Sequence, residues 1–222
     1  MQKVWAAVET GLVHSCNSGG GKTKDHNVPQ VHQMWDTADS FYGSSACGPT
    51  SAVMAAAFFK KLAPKPMTIS SPTKHTNDYG WYVSNKYTSP SGTVLSRGQN
   101  DPKGRIAYGA FGTCIEGGMA WAWRIQEFFK FHKLQNKFYS AATPAIVKSA
   151  IDKGHLVILS TQLTRSGHIV LIRGYENGGA KYIANDPYGN ANVAGYGRSM
   201  NGKAVRYTWA FMKTKWMVEV WP

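Results

Sequence analysis

The chain has 222 residues, 43% hydrophobic, with 8 Trp, enough for one domain with a real core. No run of about 18 apolar residues occurs, so no membrane-spanning helix is expected. The formal charge of +13 implies attraction to polyanions: nucleic acid, anionic lipid and an anionic cell wall all qualify, beside plain solubility. The Lys and Arg are scattered, which weighs against sequence-specific nucleic-acid recognition.

Met1-Gln2-Lys3 is followed by no signal-peptide apolar region, because Glu9 and His14 interrupt it. Val4, Val8 and Leu12 recur at i, i+4 and i+8, predicting a short amphipathic helix over Lys3 to Leu12. Asn17-Ser18-Gly19-Gly20-Gly21 then reads as a flexible linker. The expected organisation is an N-terminal helix and linker over 1–27 and a single domain over 28–222. Val28 to Asp39 reads as extended and then loop-like, carrying Gln30, His32, Gln33, Trp35 and Asp36.

Tyr42 to Phe59, YGSSACGPTSAVMAAAFF, is the stretch around which the chain is organised. Pro49 suits a first helical turn, and Val53, Met54, Ala57 and Phe58 repeat at helical spacing up to Lys61. Cys47 therefore stands at a helix N-terminus, where exposed amides and the helix dipole favour an anion. That is the setting of a cysteine nucleophile; a small core cysteine opening a helix is the plainer alternative. The other two cysteines are Cys16 and Cys114. No CxxC pair occurs, so no ordinary zinc motif is present, and an odd count leaves at least one thiol free. Whether Cys16 and Cys114 pair is open.

Ala63-Pro64-Lys65-Pro66 ends the helix. Met67 to Arg105 reads as loops with one short helix around Asp78 to Asn85, either the wall of a groove or a surface excursion. Gly117 to His132 predicts a helix whose apolar face holds Met119, Trp123, Gln126, Phe128 and Phe129. Ala142 to Gly154 has a full set of helix signals: Thr143 as N-cap, Pro144 as first residue, Gly154 as stop. His155 to Leu163, Gly167 to Tyr175 and Ala180 to Asn185 read as strands, and Asn177-Gly178-Gly179 as a hairpin turn. Val205 to Trp221 alternates as a strand, with a helical turn possible at Trp209-Ala-Phe-Met.

The hairpin supplies a base for Cys47. Facing residues of an antiparallel pair sum to a constant, here about 355 for a turn between Asn177 and Gly178, which sets His168 opposite Asp186 or Pro187. A carboxylate on one ring nitrogen fixes the tautomer and turns the other nitrogen to the nucleophile. Taken singly, a buried strand histidine and an ordinary Asn-Asp-Pro-Tyr-Gly turn are the plainer readings. Acyl transfer also needs a side-chain N–H beside the cysteine amide, and Gln33 is the candidate oxyanion-hole donor, with Gln30 as competitor.

In this order the residues resemble a family. Gln33 in VPQVHQMWD, Cys47 in ACGPTSAVM, His168 in GHIVLIRGY and Asp186 in ANDPYGN look like the papain-like cysteine peptidases, in the branch of the bacteriocin double-glycine leader peptidases. The likeness runs from about Val28 to Trp216. It implies an α+β fold, with a helical part carrying the cysteine packed on an antiparallel sheet carrying His and Asp. It also implies peptide-bond hydrolysis through a thioester, without metal or cofactor. No transporter resembling those fused to leader peptidases is present, and the middle segment is longer than in a minimal peptidase. A basic chain without a recognisable signal peptide suits a phage endolysin or a wall hydrolase secreted after signal removal. The expected substrate is peptidoglycan or another peptide, with anionic wall polymers held by the basic surface and the protein a monomer. In this reading Met67 to Arg105 and Trp121/Trp123 shape the groove. The alternatives are a peptidase of proteins or leader peptides, and a catalytically silent wall-binding module.

Overall fold

The computed structural model describes residues 21–37, 43–83, 87–88, 94–95, 110, 115–116 and 119–222. The predicted helix at Lys3 to Leu12, Cys16, Cys114 and much of the middle segment lie outside the described residues.

In chain order the strands are β1 (Lys24–Asp25), β2 (Met67–Ile69), β3 (His75–Asn77), β4 (Tyr87–Thr88), β5 (Val94–Leu95), β6 (Ile115–Glu116), β7 (Met119–Ala120), β8 (Gln135–Tyr139), β9 (Leu156–Thr161), β10 (His168–Glu176), β11 (Lys181–Asn185), β12 (Val205–Tyr207) and β13 (Met217–Trp221). Among the described residues the α-helices given ranges are α1 (Cys47–Phe58), α2 (Ala122–Phe131), α3 (Pro144–Asp152) and the single turn α4 (Trp209–Met212). Among the described residues, β12-β11-β10-β9-β13-β8 form the main antiparallel sheet in that order, with β1 added to β10. The pairs β2–β3, β4–β5 and β6–β7 are separate two-stranded ribbons. No helix among the described residues is long and apolar enough to cross a membrane.

Two cores flank the sheet, and the strand period of two explains both. Leu156, Ile158, Leu171, Val218 and Val220 meet α1 and α2 on one face. Val157, Leu159, Val170, Ile172 and Met217 meet α3 and α4 on the other. Strands buried on both faces read as continuous apolar runs, which is how β9 and β10 read in the sequence. The result is the papain-like α+β architecture that the resemblance implied.

α1 is buried all round from Gly48 to Ala57. Its alanines allow close approach to β10, where the Ser51 hydroxyl donates to the Ile169 carbonyl at 3.4 Å. This close fit fixes the height of Cys47 against the start of β10. α3 follows its sequence signals: the Thr143 side chain accepts from the Ile146 N–H, and Pro144 is the first helical residue.

Three expectations are corrected. Lys24 and Asp25 pair with Tyr175 and Gly174, so the segment before Val28 already joins the sheet. α2 begins at Ala122, because Met119–Ala120 is extended and Trp121 keeps a β backbone. Its buried side is Arg124, Ile125, Phe128 and Phe129, while Trp123 is 41% exposed and stacks under the Arg124 guanidinium. The C-terminal stretch is strand with the helical turn at Trp209–Met212 that its sequence allowed, as expected. Within Met67 to Arg105 the described part holds the β2–β3 hairpin as well as the short helical turn at Gly80–Val83.

Candidate active site

The hairpin register differs from its prediction and still delivers the pair. The turn is the four residues Asn177 to Ala180, the first three with positive φ, so the centre moves and Glu176 faces Lys181. A bulge between Ile172 and Gly174 then shifts the register by one. The ladder ends at Leu171 opposite Asn185, and His168 is paired instead with Thr161 of β9. His168 and Asp186 are thus not facing residues. Asp186 follows the last residue of β11, where the chain turns, and His168 Nε2 lies 2.8 Å from its Oδ1.

The Asp186 carboxylate is fully buried and fully satisfied. Oδ1 also accepts from the Tyr188 N–H at 2.8 Å. Oδ2 accepts from the Tyr196 hydroxyl at 3.0 Å and the Tyr207 hydroxyl at 2.8 Å. Its backbone is pinned as well: the N–H donates to Gly202 at 2.8 Å, and the carbonyl accepts from the Gln30 amide at 2.9 Å. Four donors on one carboxylate compensate the cost of burying its charge.

Burial works against a charged His168, but the Asp186 charge and hydrogen bond, together with the Cys47 side chain, outweigh it and push the imidazole up to about 10. With Nε2 committed to Asp186, Nδ1 is the nitrogen left to face the Cys47 thiol, whose side chain is among the groups that raise the His168 pKa. Cys47 is the first residue of α1 and is partly exposed. Tyr196 stands edge-on to the His168 ring at 5.8 Å, and Tyr188 tilts against it at 6.0 Å.

Gln33 lies beside the turn that leads into Cys47. Its amide nitrogen donates to the carbonyls of Gly43 at 2.9 Å and Ser44 at 3.3 Å, and its backbone N–H donates to Pro187 at 2.8 Å. Gln33 therefore ties the cysteine turn to the Asp186 turn. Both amide hydrogens are engaged here, so oxyanion binding requires release of the longer bond to Ser44. Gln30, the competitor, is committed to the Val31 and Asp186 carbonyls.

A second acidic network holds the Gln33 segment. Asp36 accepts from the His32 N–H at 2.8 Å and Asn77 Nδ2 at 2.9 Å, and its Oδ1 lies 2.6 Å from His75 Nε2. The Thr73 carbonyl on the other ring nitrogen, helped by Asp36 and opposed by burial, raises the His75 pKa. Burial lowers His32 to about 4, so it is neutral. The tyrosines and this network were not found from the sequence. Tyr207 sits 21 residues from Asp186 and Asn77 sits 41 from Asp36, and no spacing rule links such distances. Trp121 and Trp123 are exposed at the start of α2. Among the described residues no three His, Cys, Asp or Glu side chains cluster as metal ligands.

A cysteine on a helix mouth, against a sheet carrying a His–Asp pair, is the layout of a papain-like cysteine peptidase. The chain belongs to the Peptidase_C39 like family, whose model matches residues 25–215. It is a cysteine peptidase of that family. No curated protein sequence matches it. It is similar to a solved double-glycine-motif protease from an AMS/PCAT transporter in complex with the leader peptide. That likeness has 16% identity and a TM-score of 0.46, and covers 89% of this chain and 94% of that one. A putative C39-like peptidase from Bacillus anthracis is similar at 11% identity and TM-score 0.44, covering 89% and 96%.

Proposed function

We propose that the protein hydrolyses peptide bonds of bacterial peptidoglycan, in the stem or cross-bridge, as an endolysin-type cysteine peptidase acting at the cell wall. The observation that carries this reading is the buried Asp186–His168 pair set against Cys47 in a chain of charge +13. The peptidase chemistry follows from the site, and the charge favours a substrate embedded in anionic polymer.

The Cys47 sulfur attacks the carbonyl carbon, and the new oxyanion takes hydrogen bonds from the Cys47 backbone N–H and from Gln33 once its bond to Ser44 is released. His168 passes its proton to the leaving nitrogen as the C–N bond breaks, leaving a thioester. Water then attacks, His168 takes its proton, and the C–S bond breaks to free the acid and regenerate Cys47. Asp186 holds the ring throughout. His168 keeps its charge because of that carboxylate, so the step that protonates the leaving nitrogen has its proton in place.

The test is mass spectrometry of purified peptidoglycan digested by the wild type and by Cys47→Ala. The reading requires new muropeptide fragments from the wild type alone, and their masses identify the bond. Intact walls of several peptide types, with cleavage of a peptide library instead, would replace this reading with a peptidase of proteins or leader peptides.

A further inference from the structure

The segment 187–204 does two things. One side lays Tyr188 and Tyr196 on His168. The other lines a cleft of about 600 Å³ with β12 and the start of α4. The cleft wall includes Lys181, Lys203 and Arg206, the amides of Asn190, Asn192 and Asn201, and Phe211, and it contains no acidic side chain.

The hydrogen bonds of the wall give it a polarity. Asn190 Oδ1 already accepts from the Asn192 N–H and Nδ2, each at 2.9 Å. Asn201 Oδ1 already accepts from the Asn190 N–H at 3.0 Å and the Ser199 hydroxyl at 2.7 Å. The acceptor ends of these two amides are thus spent inside the loop and their Nδ2 groups remain for a ligand, whereas Asn192 spends its own Nδ2 on Asn190 Oδ1 and the Arg206 carbonyl. Lys181 and Lys203 are exposed and enter no ion pair among the described residues. Arg206 is held by Glu176 through Nε at 2.8 Å and by the Ala204 carbonyl, which fixes its place in the wall. Phe211, 43% exposed, supplies an apolar surface for C–H groups.

Donors, cations and one apolar surface match an oxyanion carried on a hydroxylated carbon chain. We propose that this cleft is a binding site for a hydroxyl-bearing polyanion, with the phosphate or carboxylate between Lys181 and Lys203 and the polyol or sugar against Phe211. Asp186 donates its N–H to Gly202 of the same segment, so the chain that lines the cleft is also bonded to the turn that carries Asp186. The identity of the polymer as a wall component rests on the wall-hydrolase reading; the binding site does not.

Binding is measured without turnover, on the full chain carrying Cys47→Ala, so failure of the hydrolase reading leaves this test intact. The probes are poly(glycerol phosphate), polygalacturonate and neutral dextran, titrated calorimetrically. Lys181→Gln/Lys203→Gln is compared with Lys60→Gln/Lys74→Gln, which removes the same charge from exposed positions elsewhere. Loss of two charge-assisted contacts weakens binding by about tenfold; the control pair changes it by less than about twofold. Asn201→Asp keeps the internal acceptor and turns the donor into a negative oxygen, and it weakens binding likewise. Binding of one polyanion and not the other identifies the oxyanion and upholds the site. Equal loss in both double variants, no loss in either, or dextran binding as tight as the polyanions overturns it.

Discussion

At the residue scale the site is an exercise in keeping one charge buried. Asp186 can remain a carboxylate at zero exposure because four donors surround it, two of them tyrosine hydroxyls. Burial first and the Asp186 charge second raise the pKa of both Tyr196 and Tyr207, so they stay protonated donors through the physiological range. Tyr207→Phe leaves Oδ2 one donor short, and we expect a loss of about 1–3 kcal/mol in urea denaturation. The His168 shift has a definite sign. Folding raises it above 6.5, so the pair's contribution to stability is complete below pH 6.5 and is lost as pH rises toward about 10. The alkaline limb of the peptidase pH profile should therefore lie well above 6.5. Asp186→Asn should lower kcat by about 10²–10⁴-fold and move that limb downward. An unmoved limb would assign it to another group. The cysteine, histidine and aspartate were legible because each sits at a local signal: a helix mouth, a strand start, a turn. The tyrosines were not, since long-range closure of the chain brings them to Oδ2.

At the scale of elements, the turns around the site have no room to spare. A Cβ on Gly202 would stand 2.0 Å from the Asp186 carbonyl oxygen, and one on Gly80 would stand 1.5 Å from that of Asp36. Gly202→Ala should push Asp186 away from His168 and reduce turnover, with the hydrogen-bonded imidazole proton shifted or lost in NMR; an unchanged signal and rate would show that the turn adapts. Thr143→Ala removes the side-chain cap of α3 and should cost about 1 kcal/mol without altering kcat, because α3 packs on the face of the sheet away from α1. The helices were legible where apolar spacing and caps agree, as in α3. Gly117 to His132 failed at its start because Met119 and Trp121 adopt extended backbone, and Trp123 was assigned to a core that it does not enter. The hairpin's register differed by a residue or two because a four-residue turn and a bulge cannot be read from alternation alone.

At the scale of the whole molecule, the site exists only where the helical part meets the sheet. Gln33 spans that junction, bonded forward to Gly43 and Ser44 and across to Pro187. The fold class was legible because two apolar faces and a helix mouth leave few arrangements; the tie between the Gln33 segment and the β2–β3 ribbon through Asp36, His75 and Asn77 is one that no local pattern connects. The charge of +13 predicts that adsorption of Cys47→Ala to purified walls falls steeply between low and high salt. Salt-independent adsorption would make the charge incidental. The central claim is that Cys47, His168 and Asp186 work as one unit across this junction. Its most direct measurement needs no substrate: the rate of iodoacetamide alkylation at Cys47 near neutral pH, followed by peptide mass spectrometry. The rate should be high in the wild type, lower in Asp186→Asn and lowest in His168→Ala. Equal rates in all three proteins, or an inert Cys47 in the wild type, would contradict the account.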